Sequence, residues 1–159
     1  MKKILVTGAT GGIGSRVCKR LTKNGDEIIL VSRSKEKLND LVSNLKNGSE
    51  QKLSACEADF ANSESVKVFL QSLEKDVKSI DGLVLIYPAI PKSTEIIPAA
   101  ETWRNSFEQC FIHALECLKI VLKLMKQGSR VVIVSGIANV QVFPQLAMSN
   151  AIRSAWLAY

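Results

Sequence analysis

The stretch that decides the fold is KILVTGATGGIG, residues 3–14. It consists of a short apolar run and a glycine-rich turn, and it leads directly into an amphipathic segment near 12–24. A strand, a turn of this kind and a helix in succession are typical of dinucleotide-binding sites. Gly8 would turn the chain sharply, Gly12 would leave room for a pyrophosphate, and Gly14 would let the helix lie close to the strand. A tight strand–helix turn without a ligand is the alternative.

The residues of this turn are therefore predicted to bind a cofactor. Backbone N–H groups at the start of a helix lack intrahelical partners and carry a partial positive charge, so they face phosphates. The predicted contacts are Gly8, Thr10, Gly11, Gly12, Ile13 and Gly14.

The end of the second apolar run, Ser32-Arg33-Ser34, indicates which dinucleotide is bound. An NAD site usually has an acidic residue at about this distance from the glycines, where it binds the ribose 2′-hydroxyl. No carboxylate is present here. Arg33 instead offers a planar guanidinium to a 2′-phosphate, with a hydroxyl on either side. The alternative is a solvated arginine at a strand end. The sequence favours NADP(H) over NAD(H).

Short apolar runs alternate with longer amphipathic segments along the whole chain. This alternation predicts an α/β protein with a doubly wound parallel sheet, three layers and about five strands. Runs that are continuously apolar suit strands covered by helices on both faces. The strand candidates are 3–7, 27–32, 52–57, 82–87 and 130–135, and the helix candidates are 12–24, 35–46, 63–77, 101–127 and about 147 to 159.

Several boundaries carry local signals. Gly25 is expected to end the first helix, Gly48 to follow the second, and Gly128 to end the fourth. Asn62 is expected to begin the third helix. The proline-punctuated stretch 87–98 is predicted to be a loop of functional size.

The composition excludes several classes of function. The 159 residues fit one domain, 1–159, and the longest apolar stretches are too short for a membrane span. The net charge of +6 is spread along the chain and aromatic residues are few, so no nucleic-acid partner is expected. Four scattered cysteines and one histidine are too few and too widely spaced to predict a metal site. Unpaired cysteines in a chain with no recognisable secretory signal predict a cytoplasmic location.

Together these segments resemble the short-chain dehydrogenase/reductase family, whose glycine motif TGxxxGxG is matched at residues 7–14. EADFANSESV (57–66), DGLVLIYPA (81–89), ETWRNSF (101–107) and 129–155 are similar to later family segments in order and spacing. The resemblance implies the sheet order 3-2-1-4-5. It also implies an adenine contact at Asp59, for which a simple turn or helix-cap aspartate is the alternative, and further cofactor contacts at Phe60 and Tyr87.

The family's catalytic residues are replaced in this chain. Aligned with the family's Asn, Ser, Tyr and Lys are Cys110, Gly136, Ser149 and Arg153. Ser135 is adjacent to the serine position but out of register. Ser149, Arg153 and Ser135 remain the catalytic candidates. The SNAIR segment, 149–153, resembles a divergent branch described as 3-oxoacyl-[acyl-carrier-protein] reductase-like.

Length also differs from the family. Its members are longer, so this chain is expected to be C-terminally truncated, with its last helix cut short. The predicted function is an NADP(H)-dependent oxidoreductase acting on a small carbonyl or alcohol substrate. The alternative is a catalytically inactive nucleotide-binding or subunit-interaction protein of the same fold.

Two apolar stripes on the predicted helix 101–127 suggest assembly. One stripe contains Phe107, Phe111, Ala114, Leu115, Leu118, Leu122 and Met125, and the second contains Cys110, Cys117, Val121 and Leu124. Only one of them can pack on the sheet, so the second stripe has either a core role within a larger fold or a place in a subunit interface. In the resembled family this helix and the next pair with their copies, so a homo-oligomer through 101–127 and 147–159 is expected.

Overall fold

The computed structural model describes residues 1–46, 52–91, 93, 95, 97–143 and 146–159. Within these residues five strands form one parallel sheet in the order β3-β2-β1-β4-β5. The predicted Rossmann-type α/β fold and its strand order are therefore confirmed. The strands are β1 (Lys3–Val6), β2 (Glu27–Ser32), β3 (Leu53–Glu57), β4 (Ile80–Leu85) and β5 (Met125–Ile133).

Helices cover both faces of the sheet. They are α1 (Gly12–Lys23), α2 (Lys35–Lys46), α3 (Ser63–Asp76), α4 (Ala100–Phe107), α5 (His113–Leu124) and α6 (Ala147–Ala158). A π-helical turn, Glu108–Ile112, joins α4 to α5, and a short 3₁₀ turn, Ile137–Asn139, precedes α6. One apolar core lies between the sheet and α1 and α2, and the other lies between the sheet and α3, α5 and α6. Coverage on both faces explains the continuously apolar run of β2, whereas Val132 of β5 is 52% exposed.

The predicted helix 101–127 is wrong in two respects. It is interrupted by the π-helical turn, and it ends at Leu124 rather than at Gly128. Met125 has extended dihedral angles and begins β5, five residues earlier than expected. Gly128 has φ +85° and lies inside β5, where the pairing with β4 shifts register between Ile80 and Gly82. The glycine therefore belongs to a bulged strand and not to a helix end.

Other boundary predictions agree with the structure. The side chain of Asn62 accepts a hydrogen bond from the backbone N–H of Ser65 at 3.0 Å and so caps α3. Gly25 follows the end of α1 with φ +79°. Gly48 lies outside the described residues. So do Lys92, Thr94 and Ile96 of the predicted loop, whose described residues contain no helix or strand.

The structure also decides which stripe of the long helix faces the core. Cys110, Cys117 and Val121 are fully buried, so the second stripe is covered within the chain. The expectation that this stripe is left for a partner subunit is wrong. The other stripe is mixed: Ala114 and Leu118 are buried, Phe107 and Phe111 are half-buried, and Leu122 is 48% exposed. In the part of the chain described, no helix is both long enough and apolar enough to cross a membrane.

Candidate cofactor cleft and catalytic region

A cleft of about 420 Å³ lies at the carboxyl ends of β1, β2 and β4. In open parallel sheets this edge is where ligands bind, at the point where the strand order reverses. The cleft is lined by Gly8, Thr10, Gly11, Val31, Ser32, Arg33, Lys37, Ala58, Asp59, Phe60, Ile86, Tyr87, Pro88, Ala89 and Gln109.

The glycine turn forms one wall of this cleft. Gly8 has φ +60°, a conformation that residues with side chains rarely adopt. A Cβ at Gly14 would overlap the carbonyl oxygen of Gly8, so α1 lies against the turn because residue 14 has no side chain. A Cβ at Gly12 would meet nothing within 4 Å. Gly12 and Ile13 are both exposed at the start of α1, where unpaired N–H groups face outward.

Two hydroxyl contacts hold this wall in place. The side chain of Thr7 donates to the carbonyl of Ile86 at 2.9 Å and accepts from the N–H of Ile86 at 2.7 Å, joining β1 to the residue after β4. The hydroxyls of Thr10 and Ser32 are 2.6 Å apart, joining the turn to the end of β2. Ser34 is used differently, since its Oγ accepts the N–H of Lys37 at 3.3 Å at the start of α2.

Positive charge is concentrated at the β2 end of the cleft. Arg33 and Lys37 are exposed and both line the cleft. Among the described residues no carboxylate is paired with either cation. Lys37 was not predicted from the sequence. Its position four residues after Arg33, at the start of a helix, could have indicated a second cation at the cleft.

The opposite wall is formed by the segment after β3. Asp59 lines the cleft, but one of its carboxylate oxygens accepts the N–H of Ala61 at 3.0 Å, which makes it a turn residue as well. Phe60 is 6% exposed, and its carbonyl lies 2.7 Å from Nδ1 of the buried His113. Because a carbonyl can only accept, the proton of this contact is on Nδ1. The histidine therefore ties the start of α5 to this wall.

The catalytic candidates are brought together only in part. Nε of Arg153 donates to Oγ of Ser149 at 3.0 Å, so these residues contact each other across one turn of α6. Ser135 is exposed, two residues beyond the end of β5, and no contact within the described residues joins it to either of them. Arg153 also donates to a partner that the sequence did not indicate, the hydroxyl of Tyr87, from Nη1 at 3.3 Å.

Cys110, which the sequence comparison aligned with the family's asparagine, is poorly suited to act as a nucleophile. Burial raises the pKa of its thiol to about 11, and the nearby Arg153 guanidinium only partly opposes this. Sγ donates weakly to the carbonyl of Pro88 at 3.5 Å, and the carbonyl of Cys110 accepts the indole N–H of Trp156 at 3.0 Å. Cys110 thus connects the π-helical turn to the loop after β4 and to α6.

This fold and this turn define a nucleotide-binding α/β protein with its cleft at the carboxyl edge of the sheet. Comparison with known proteins agrees: residues 2–153 match the family model for short chain dehydrogenases. The chain belongs to the short-chain dehydrogenase family.

Individual relatives are distant. The chain is 27% identical over 164 residues to a 3beta-hydroxysteroid dehydrogenase of Mediterraneibacter gnavus, across 97% of this chain and 56% of that protein. It is 30% identical over 159 residues to an uncharacterized oxidoreductase of Staphylococcus haemolyticus, across 96% of this chain and 66% of that protein. The fold is similar to L-sorbose reductase from Gluconobacter frateurii complexed with NADPH and L-sorbose, with a TM-score of 0.88 at 22% identity over 99% of this chain and 60% of that one. The chain thus spans between about half and two thirds of these proteins.

Proposed function

We propose that this chain binds NADP(H) in the cleft and serves the reduction of a small carbonyl compound or the oxidation of the matching alcohol. The observation that carries the proposal is the layout of the cleft. The cleft is lined by Gly8, Thr10 and Gly11 of the glycine turn and, beyond the end of β2, by the cations of Arg33 and Lys37.

The cleft fits a phosphorylated dinucleotide at each of its parts. The start of α1 offers backbone N–H groups to the pyrophosphate, and the absence of a side chain at Gly12 lets the phosphates approach. Ser32 and Arg33 lie where the adenosine ribose would be held, and the Arg33 guanidinium can form two hydrogen bonds to a 2′-phosphate. Phe60 and Asp59 form the wall left for the adenine.

The bound dinucleotide would supply a hydride, and the chain's residues would position the reacting groups. The family relationship supports oxidoreductase chemistry. The dehydrogenase of Mediterraneibacter gnavus is named for a hydroxysteroid, and the Gluconobacter frateurii reductase was seen with NADPH and a sugar. These two proteins share carbonyl–alcohol chemistry while their substrates differ, so we extend only that chemistry to this chain.

The test is a turnover assay with the purified chain. NADPH oxidation is followed by the absorbance of the reduced nicotinamide, against a panel of ketones and aldehydes that includes apolar and sugar-like compounds. The matched control is Gly12→Ala, which adds a methyl group where phosphates would approach and meets no protein atom within 4 Å. We expect reduction of at least one carbonyl class by the unmodified chain and none by the variant. NADPH binding without reduction of any compound would contradict the catalytic half of the proposal.

A second function is favoured by one observation: Ser149 and Arg153 occupy the family's tyrosine and lysine positions and hydrogen-bond to each other. A serine hydroxyl is a much weaker acid than a phenol, so this pair is a poor proton donor. The chain would then be a catalytically inactive nucleotide-binding or subunit-interaction protein. Binding of NADPH with no turnover in the assay above would identify this case.

A further inference from the structure

We propose that Tyr87 and Arg153 form the proton-donating pair of this chain, with the phenol provided by the loop after β4 instead of by α6. The inference rests on the proposed function, because it assigns the residue that protonates the carbonyl oxygen. It follows from a contact between two segments 66 residues apart in sequence.

The hydroxyl of Tyr87 has the arrangement that a proton donor needs. Nη1 of Arg153 donates to the phenolic oxygen at 3.3 Å, and the guanidinium carbon lies 5.9 Å from the centre of the ring. Tyr87 also lines the cofactor cleft. Among the described residues no hydrogen bond is donated by this hydroxyl, and the proposal assigns a substrate oxygen as the acceptor of its proton.

Packing fixes the position of the phenol ring. The rings of Tyr87 and Trp156 are stacked, with centroids 6.0 Å apart and planes 11° from parallel. Trp156 is itself held by its indole N–H, which donates to the carbonyl of Cys110 at 3.0 Å. Tyr87 is only 9% exposed. A ring held in this way presents its hydroxyl in one place, as proton transfer requires.

Gly136, at the family's serine position, makes room for the arginine. A Cβ at residue 136 would lie 2.9 Å from Nη1 of Arg153 and 3.1 Å from its guanidinium carbon. Any side chain there would displace the guanidinium from its present position. The loss of serine at 136 and the presence of arginine at 153 are therefore parts of one arrangement, in which the cation reaches Tyr87.

The chemistry balances with these groups. NADPH, when bound in the cleft, would supply the hydride for the carbonyl carbon and would be oxidised as the carbonyl is reduced. Tyr87 transfers its Oη proton to the carbonyl oxygen, which gives the alcohol. The oxygen left on Tyr87 keeps the hydrogen bond that it accepts from Nη1 of Arg153, and a proton from water restores the phenol. Arg153 keeps its own proton throughout, so it is a positioning residue.

The first experiment separates turnover from binding. Tyr87→Phe removes only the hydroxyl, and we expect kcat for the best carbonyl to fall about a hundredfold or more while NADPH affinity changes less than about threefold. The chain has two tyrosines, so Tyr159→Phe is the matched control and should keep its kcat. Turnover that survives Tyr87→Phe overturns the proposal. A loss of NADPH affinity with unchanged kcat would do the same, because it would make Tyr87 a cofactor-binding residue only.

The second experiment does not depend on activity. Labelling with [¹³Cζ]tyrosine gives two NMR signals, and the one missing from Tyr87→Phe is that of Tyr87. Arg153→Met removes the hydrogen bond to the phenol and should shift the Tyr87 signal alone. Gly136→Ala should shift the same signal without altering either partner, because its methyl group displaces the guanidinium.

The outcomes distinguish the two proposals. A Tyr87 signal that does not respond to Arg153→Met overturns the pair whatever the enzyme does. A signal that responds, in a chain that reduces no carbonyl compound, overturns the proposed function and with it the catalytic role of Tyr87. A responding signal together with a kcat lost in Tyr87→Phe supports both.

Discussion

The hydroxyl oxygens of Thr10 and Ser32 lie 2.6 Å apart, so one hydrogen bond joins the glycine turn to the end of β2. These two segments would hold different parts of a dinucleotide, the pyrophosphate and the adenosine ribose. Because the bond is internal to the protein, the spacing between the two parts is set before any ligand arrives. Such preorganisation lowers the ordering cost of binding.

The glycines of the turn should separate stability from binding. Gly14→Ala places a methyl group on the carbonyl of Gly8, and we expect the free energy of unfolding to fall by about 1–3 kcal/mol, as for other overpacked sites. Gly12→Ala meets no protein atom within 4 Å and should unfold like the unmodified chain, yet it should lose most of its NADPH affinity. Urea denaturation and fluorescence titration measure the two effects. Normal NADPH binding by Gly12→Ala would show that the phosphates do not approach this turn.

Lys37 should contribute to NADPH affinity less than Arg33 does. Lys37 is exposed and offers a flexible point charge, and such contacts give about 0.2–1 kcal/mol, or about 1.4- to fivefold in affinity. Lys37→Ala is therefore expected to weaken NADPH binding modestly and NADH binding very little, measured by isothermal titration calorimetry. Lys35→Ala, on the same helix but outside the cleft lining, is the control. Equal losses from Lys35→Ala and Lys37→Ala would indicate a general charge effect.

The four thiols should differ in reactivity. Burial raises the pKa of Cys18 and Cys117 to about 12 and that of Cys110 to about 11, so almost no thiolate forms at about pH 8. Cys56 is half-buried, and its pKa is also raised, by burial and by the nearby Asp76 carboxylate. With a disulfide reagent, the folded chain should react first at Cys56.

The matched control for this order is Cys56→Ser, which should lack the early reaction while retaining three thiols that react on unfolding. The three remaining thiols should react slowly in the folded chain at about pH 8, because all are buried and burial raises each pKa well above that pH. An early reaction that persists in Cys56→Ser would mean that a thiol buried in this structure is accessible in solution.

Formation of a homo-oligomer remains a prediction, but the residues expected at its interface are no longer those of the buried second stripe. Leu122 is 48% exposed, Ile112 is 40% exposed and Leu157 is 61% exposed on the helices expected to pair. We expect these exposed side chains to contribute to an interface between subunits. We expect a dimer or larger assembly by light scattering. Leu122→Glu should shift this assembly toward monomer, whereas Lys119→Glu, at another exposed position of α5, should not. A monodisperse monomer of the unmodified chain at micromolar concentration would contradict the prediction.

The order of elements was predictable because each depends on local sequence. A buried strand, a glycine turn and a helix follow one another within residues 3–24, and the spacing repeats along the chain. Bounds were less predictable where tertiary contacts decide them. A glycine after a helical pattern, such as Gly128, is typical of a helix end, but strand pairing with β4 places it within β5. The π-helical turn at 108–112 has no signal in the periodicity of the helix.

Parts of the candidate site depended on contacts that periodicity does not encode. The two stripes of the long helix are both apolar, so only the position of the sheet shows that Cys110 and Cys117 face the core. Ser149 and Arg153 were identified by aligning the chain with the family pattern. The phenol that contacts Arg153 belongs to Tyr87, in a loop 66 residues earlier. Only the fold brings Tyr87 to Arg153, and Gly136 gives no sign of its role until the arginine lies beside it.

The central claim is that this cleft binds NADP(H) through Arg33, and a paired calorimetric titration tests it most directly. The unmodified chain is titrated with NADPH and with NADH, and Arg33→Ala is titrated with both. We expect NADPH to bind at least about tenfold more tightly than NADH, because charge-assisted hydrogen bonds contribute about 1.5–3 kcal/mol. Arg33→Ala should lose most of this preference while keeping its NADH affinity. Equal affinities of the unmodified chain for the two dinucleotides, or no binding of either, would contradict the account.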